Sequence, residues 1–200
     1  MIGLFAQKIG MTQIFDENGR VFGVTVLKLY ENRVTKIDPN KDVFKITISG
    51  GEKKRISKAQ KSQLTNLKIK SNLCWSKEFL TKNSYHLSDE LKTDLFQKDE
   101  LVKIIGTGKG KGFQGTIKRH GFSRGPMSHG SHHHRKPGSI GSTYPQRVVK
   151  GKKMAGHMGN NQVTVKNAKI IDIDIDNNIL VVKGSVPGSN KHKILIIKND

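Results

Sequence analysis

A dense group of histidines is the part of this chain whose residue types most suggest chemistry. The stretch 128–141 reads SHGSHHHRKPGSIG and contains His129, His132, His133 and His134. Imidazoles bind zinc or nickel, but protein metal sites usually combine them with carboxylates or thiolates on a defined scaffold. Here the neighbours are cations, which would repel a metal dication. We therefore predict no metal site, and expect these imidazoles to donate to phosphates or to stack on bases.

A glycine pattern precedes the histidines. Gly110, Gly112 and Gly115 match G-x-G-x-x-G directly after a predicted strand, which is where a dinucleotide site begins. Such a site also needs a following helix and an acidic residue about 20 positions further on. The next acidic residue is Asp172, and no Walker A motif occurs. We predict no nucleotide and no other cofactor, although an enzyme that uses this loop for a nucleotide is an alternative.

The acidic residues offer no catalytic group. Asp172, Asp174 and Asp176 in DIDID resemble the start of a calcium loop, but Asn177 replaces the required glycine and Lys183 the bidentate glutamate. Alternating Ile and Asp instead predict a strand with one wet face. No Ser-His-Asp or Cys-His arrangement can be argued elsewhere. The sequence predicts no catalytic residue, no enzyme and no small-molecule substrate.

The charge of the chain predicts its partner. The formal net charge is +20, and residues 101–171 contain fourteen Lys and Arg but no carboxylate. A solvated surface normally mixes both signs, so this segment requires an external polyanion. No apolar run is long enough to span a bilayer, and no basic amphipathic helix suggests a membrane surface. We therefore expect a nucleic acid and no membrane as partner, in a reducing compartment because there is one cysteine.

The elements that must position the basic segment are mostly strands. A hairpin is predicted from TQIF, the turn DENG and VFGVTVLKLY, followed by strands RVTKI and VFKITIS. After the basic segment, QVTVKNAKIIDIDI, ILVVKGSV and HKILII predict a meander. We predict a mainly β fold with minor α: a β-barrel from residues 1–49 and 162–200, with a strand at 101–105.

Two segments interrupt the predicted barrel. Residues 50–100 are predicted to be an insertion, polar and Lys-rich at first, with one helix at SDELKTDLFQ, where Ser88 would be the N-cap. Residues 106–161 are predicted to be a long, glycine-rich loop with strands at both ends.

The loop combines cations that neutralise phosphates, glycines that allow close backbone approach, and rings that stack on unpaired bases. A disordered basic tail would need neither such a density of glycines nor a return to strands. A nucleoid-type DNA-binding protein is the other alternative, but no groove-reading helix is evident. The candidate RNA-binding residues are Lys8, Lys109, Lys111, Phe113, Lys118, Arg119, His120, Arg124, His129, His132, His133, His134, Arg135, Lys136, Tyr144, Arg147, Lys150, Lys152, Lys153 and His157.

Four ordered blocks resemble the bacterial or organellar type of the large-subunit ribosomal protein three family. They are IGLFAQKIGMTQIFDENGRVFGVTVL, GTGKGKGFQGTIKRHGFSRGPMSHGSHHHRKPGSIG, VVKGKKMAGHMGNNQVTVKN and NILVVKGSVPG. The resemblance implies a translation-protein-type β-barrel and a loop that threads ribosomal RNA towards the peptidyl transferase centre. It also implies binding near the 3′ end of that RNA, an early role in assembly, and neighbouring large-subunit proteins as partners. The expected location is the ribosome, in the cytoplasm or in an organelle matrix or stroma.

One departure from the family pattern limits what is transferred. Some bacterial members carry a methylated glutamine near the loop tip, where this chain reads GSIGSTYPQRVV and is one residue shorter. We do not predict that modification.

Overall fold

The structure is a computed structural model, and it describes residues 1–39 and 43–198. The described residues form twelve strands, two short α-helices and a 3-10 turn at Thr93–Leu95. The strands are β1 (Ile2–Phe15), β2 (Val21–Leu29), β3 (Asn32–Pro39), β4 (Phe44–Glu52), β5 (Leu73–Thr81), β6 (Glu90–Leu91), β7 (Leu101–Thr107), β8 (Phe113–Gln114), β9 (Gly156–His157), β10 (Gln162–Asp174), β11 (Ile179–Lys183) and β12 (Lys193–Lys198). The helices are α1 (Lys58–Asn66) and α2 (Thr116–His120).

Six strands close into an antiparallel barrel in the order β1-β12-β7-β10-β11-β2. Alternate residues of these strands point inward, because successive side chains of a strand face opposite sides. Fully buried side chains of the barrel strands include Leu4, Leu27, Ile104, Ile170, Leu180 and Ile196.

The predicted N-terminal hairpin forms β1 and β2, the strand at 101–105 lies in β7, and the fold is mainly β, as predicted. The predicted C-terminal meander is wrong in its last strand: β11 pairs with β10 and β2, whereas β12 lies between β1 and β7. The strand pattern of residues 193–198 is correct, but it does not specify which neighbour is paired.

The strands at 32–39 and 44–52 form a separate sheet with the order β5-β4-β3-β6. Their assignment to the barrel was wrong. The period-two patterns of β3 and β4 are correct, but β3 pairs with β4 and β6, and β4 pairs with β5. A strand pattern specifies which face is buried and does not specify which neighbour is paired.

The second sheet packs on the wall of the barrel at β1. The side-chain amide of Asn32 accepts a hydrogen bond from the main-chain NH of Phe5 at 2.8 Å and donates to the Phe5 and Tyr30 carbonyls at 3.1 and 2.7 Å. A carbon atom added at Gly3 would lie 2.9 Å from the ring of Phe79, so glycine allows this ring to reach the barrel wall. Buried residues of both sheets form one hydrophobic core.

The carboxylate of Glu31 stabilises the connection between β2 and β3 through contacts with two side chains. Its Oε1 lies 2.5 Å from Nε of Arg33, and its other oxygen accepts a hydrogen bond from the Ser71 hydroxyl. Burial raises the pKa of Glu31, but the hydrogen bonds from Ser71 and Arg33 and the charge of Arg33 outweigh it, so the pKa lies below its usual value.

The predicted helix at SDELKTDLFQ is wrong. Ser88 has a φ of +71°, which is outside the helical region, and its NH donates to the Val34 carbonyl at 2.9 Å. The Val34 NH donates in turn to the Asp89 carbonyl, and β6 then pairs with β3. The segment therefore adds a strand to the sheet edge, because tertiary pairing outweighs local helix propensity.

The helix of this region is α1, which lies in the polar, Lys-rich start of the predicted insertion. It begins with a capping box, in which the Ser57 hydroxyl accepts from the Gln60 NH and the Gln60 side chain accepts from the Ser57 NH. Its one buried residue, Leu64, packs with Ile69 and Leu73 in a small second core. A single anchoring leucine explains why the sequence shows no clear apolar period here.

The chain divides into two compact units, which we call the barrel unit (1–108 and 162–200) and the basic unit (Lys109–Asn161). The barrel unit also contains the second sheet and α1. Its β7 extends to Thr107, which pairs with Gln162 at the start of β10. Adjacent strands of the barrel therefore hold the chain where the basic unit begins and ends.

Candidate nucleic-acid interface

The basic unit has a composition unlike that of a globular domain. It contains eleven Lys and Arg, six of the eight histidines and no carboxylate. Within 109–161, all of which the structure describes, Thr116 is the only buried residue. A unit of this size with no hydrophobic core is held together by hydrogen bonds, and its charge has no internal counterion.

A two-residue ladder closes the base of the basic unit. Phe113 pairs with His157 in the β8 and β9 pair. Two further main-chain bonds extend it, from the Lys111 NH to the Met158 carbonyl and from the Met158 NH to the Gly112 carbonyl, both at 2.9 Å. The predicted loop therefore contains regular strand pairing between residues near its two ends.

The short helix α2 leads from this ladder into the basic segment. It ends at Gly121, whose φ of +72° is in the left-handed region that favours glycine. Nη1 of Arg119 and Nε2 of His120 both lie within hydrogen-bonding distance of the Met154 carbonyl oxygen, at 2.8 and 2.9 Å. These contacts hold α2 against the segment that precedes β9. The other guanidinium donors of Arg119 remain for a ligand.

A second set of contacts shapes the histidine-rich segment. The Gly125 NH donates to the His134 carbonyl at 3.0 Å, and Nδ1 of His134 lies 2.7 Å from the Pro126 carbonyl oxygen. A side-chain carbon at Gly125 would collide with the carbonyl oxygen of His133, so this close approach requires glycine. The polypeptide folds back on itself here without any apolar packing.

Most of the predicted RNA-binding residues are exposed. The exposed candidates are Lys109, Lys111, Phe113, Lys118, Arg119, Arg124, His129, His132, His133, Arg135, Lys136, Tyr144, Arg147, Lys150, Lys152, Lys153 and His157. The rings of Phe113 and Tyr144 are 76% and 86% exposed, which leaves their faces available for stacking. His120 and His134 are half-buried, and each has a ring nitrogen close to a main-chain carbonyl of the basic unit.

Lys8 is the exception, and its assignment to RNA binding is corrected. Its side chain is buried, with 6% of the residue exposed, and Nζ donates to the Val186 carbonyl at 2.7 Å. The ammonium group therefore holds the segment after β11 against β1 and does not reach a phosphate. The sequence around Lys8 gives no sign of this burial, because the register of the barrel decides which side chains of β1 point inward.

Sequence reasoning nominated the exposed rings of the basic unit but not its exposed aliphatic residues. Met127 is 65% exposed, Val149 53%, Ile140 45% and Val148 41%. Exposed apolar side chains between cations suit packing against sugars and bases. The sequence contains a signal that could have found them, because they are apolar residues in a segment that has no apolar period.

Among residues 1–39 and 43–198, no three His, Cys, Asp or Glu side chains are placed to hold a metal ion. No helix in the same residues is long and apolar enough to cross a membrane.

A segment with no hydrophobic core and with cations as its only charged side chains is typical of the class of nucleic-acid-binding proteins. The family model for ribosomal protein L3 matches residues 11–177. The chain is 46% identical to the large ribosomal subunit protein uL3 of Alkaliphilus metalliredigens, over 98% of this chain and 96% of that protein. The protein of the same name in Lysinibacillus sphaericus is 43% identical, over 97% and 95%.

This chain therefore belongs to the ribosomal protein L3 family, and the resemblance seen in its sequence is confirmed. Membership makes it a structural constituent of the large ribosomal subunit, within a ribonucleoprotein that carries out translation.

Proposed function

We propose that the protein binds large-subunit ribosomal RNA through the basic unit, while the barrel unit anchors both ends of that unit. The observation that carries the proposal is the combination of eleven cations, no carboxylate and no hydrophobic core within residues 109–161. Such a unit gains its order from the phosphates that it neutralises, with release of the counterions condensed on the RNA.

Different side chains of the basic unit have different roles in this proposal. Exposed Lys and Arg contact phosphates, while Phe113 and Tyr144 stack on unpaired bases. His120 and His134 hold the fold of the unit, and His129, His132 and His133 face the RNA as donors. The protein supplies no catalytic residue and needs neither cofactor nor small-molecule substrate, because its role is to position RNA.

The location within the subunit is the finer part of the proposal. We infer binding near the 3′ end of the large-subunit RNA, a role early in assembly, and a path of the basic unit towards the peptidyl transferase centre. The match of the central block to the family pattern supports this, since that block is the part that would reach the RNA interior. Neighbouring large-subunit proteins complete the set of expected partners.

Competition binding tests the RNA site. The full chain is bound to labelled large-subunit RNA and challenged with unlabelled fragments from the 5′, central and 3′ thirds, which are similar in length and charge. We expect the 3′ fragment to compete best. Equal competition by all three fragments would mean that the protein reads charge alone, and would refute the placement near the 3′ end.

Directed cleavage tests the path of the basic unit. An iron chelate that generates hydroxyl radicals is attached at Ser142→Cys in a Cys74→Ser background, and the protein is assembled into large subunits. We expect cleavage in the RNA of the peptidyl transferase centre. Cleavage confined to RNA elsewhere would contradict the proposed path.

A further inference from the structure

The hairpin of β1 and β2 extends beyond the barrel as a two-stranded arm, residues 10–23. β12 pairs with β1 only as far as Gln7, and β11 pairs with β2 only at residues 24–28. Just beyond these points, Lys8 still exchanges main-chain hydrogen bonds with residues 191 and 192, and the Gly23 carbonyl accepts one from the Gly184 NH at 2.8 Å. Residues 10–22 have ladder partners only within the hairpin, among the residues that the structure describes.

An isolated two-stranded hairpin is marginally stable in water, so contacts on its faces stabilise it. On one face, Lys183 lies over the ring of Phe22, with Nζ 4.0 Å from the ring centroid. The other face, which carries Phe15 and Val21, is the more exposed one.

One face of the arm is apolar and open. Phe15 is 65% exposed and Val21 52%, and the two are direct cross-strand partners. Met11, which is 53% exposed, lies on the same face because it precedes Phe15 by four residues. Gln13 lies between Met11 and Phe15 on this face, and its cross-strand partner Gly23 adds no side chain beside it. An exposed cluster of this kind marks an interaction site.

The charge of the arm distinguishes its occupant from that of the basic unit. The arm carries Asp16, Glu17 and Arg20, a net charge of −1 in a chain whose net charge is +20. Neither carboxylate forms an ion pair with any residue in 1–39 or 43–198. Carboxylates repel phosphates, whereas they attract the Lys and Arg side chains of a protein.

We propose that the arm is a docking surface for another protein of the large subunit. The partner's contact patch is apolar at its centre, where it covers Met11, Phe15 and Val21, and it carries Lys or Arg at its rim, opposite Asp16 and Glu17. The exposed rings of the basic unit, by contrast, stand among cations and face RNA. The proposal rests on the protein being a subunit constituent, and it adds a protein contact to the RNA contact proposed above.

Photo-crosslinking tests the arm in the assembled particle. The full chain is made with p-benzoylphenylalanine in place of Phe15, or in place of Tyr144 as a control in the basic unit. Large subunits containing either protein are irradiated, and the products are digested separately with ribonuclease and with protease. The crosslinked peptide or nucleotide is then identified by mass spectrometry.

We expect position 15 to give a ribonuclease-resistant crosslink to one large-subunit protein, at a peptide with Lys or Arg beside apolar residues. A crosslink to RNA, a crosslink to an acidic peptide, or no crosslink at position 15 would each overturn the docking proposal. Position 144 should crosslink to RNA. Absence of an RNA crosslink from position 144 would count against RNA binding by the basic unit. The result at position 15 tests the docking proposal independently of that outcome.

Charge reversal provides the second measurement. In the position-15 protein, Asp16→Lys with Glu17→Lys should lower the crosslink yield about tenfold, because like charges at an interface rim disfavour the complex. The matched control is Asp172→Lys with Asp176→Lys, which makes the same change of net charge at two other exposed carboxylates. An equal yield in the two double variants would overturn the proposed cationic rim.

Discussion

Replacing Lys150, Lys152 and Lys153 together by alanine should weaken RNA binding and flatten its dependence on salt. All three side chains are exposed, and none forms an ion pair with a residue in the described parts of the chain. Their ammonium groups are therefore free to neutralise phosphates. Because they add nothing to the hydrophobic core, the variant should unfold at the same urea concentration as the parent protein.

The size of the effect follows from counterion release. Each phosphate contact contributes about 0.7 to 0.9 to the slope of log K against log salt, so loss of three contacts should reduce the slope by about 2 to 2.7. If binding of the two proteins converges near 1 M salt, this corresponds to an affinity about 100- to 500-fold weaker at 0.1 M. Filter binding of full-length protein to large-subunit RNA across a series of KCl concentrations measures both quantities.

A charge-matched control separates contact from net charge. Lys36 and Lys92 are also exposed and Lys45 is half-buried, but each is ion-paired within the barrel unit, to Asp38, Glu90 and Glu78 respectively. Their joint replacement by alanine removes the same charge and should change the slope by less than one unit. An unchanged slope in the 150/152/153 variant, or equal changes in both variants, would refute phosphate contacts at these lysines.

Three further predictions concern the barrel unit. Asn32→Ala should lower the free energy of unfolding by roughly 2 to 4 kcal/mol, because the buried Phe5 NH loses its acceptor. Urea titration measures this change. A loss of stability equal to that of the exposed control Asn66→Ala would contradict the prediction. Lys8→Met should leave the salt slope of RNA binding unchanged, since the ammonium is buried, and a slope reduced by one unit would restore it as a phosphate ligand. Glu31 has a depressed pKa when folded, so its stabilising contribution is complete above the usual value near pH 4.5 and is lost as the pH falls through the folded value. Urea titrations between pH 6 and 3 should show a smaller loss of stability in Glu31→Gln than in the parent, and parallel losses would contradict the pKa shift.

Strand content was predictable because it depends on local pattern. The alternating Ile and Asp of residues 172–176 lie in β10 as far as Asp174, while residues 175 and 176 already belong to the turn before β11. The hairpin around the DENG turn lies in β1 and β2 as expected. Which sheet a strand joins is not a local property. The strands at 32–39 and 44–52 have the same kind of pattern as the barrel strands, yet the Asn32 amide holds β3 against the outside of β1.

The two helices were misjudged for related reasons. Leu87, Leu91 and Leu95 have helical spacing, but the edge of β3 accepted β6 as a new strand. The true helix, α1, has one buried leucine and depends on its capping box and on a small satellite core. Neither the free sheet edge nor the satellite core can be read from the segment itself.

The candidate interface was easier to predict than its exceptions. A segment with no carboxylate and no apolar period leaves its side chains exposed, so seventeen of the twenty nominated residues are exposed in the structure. The exceptions are set by contacts distant in sequence. Lys8 is buried against Val186, and His120 reaches the Met154 carbonyl.

Sedimentation of the assembled particle tests the central claim most directly. A lysate is separated on a sucrose gradient before and after a high-salt wash, and fractions are probed for this protein and for the 150/152/153 variant. An extension ordered inside folded RNA should keep the parent protein with the large subunit through the wash, because buried contacts are screened less than surface ones. Parent protein that leaves the subunit in high salt, or that sediments with DNA, would contradict an RNA-ordered basic unit.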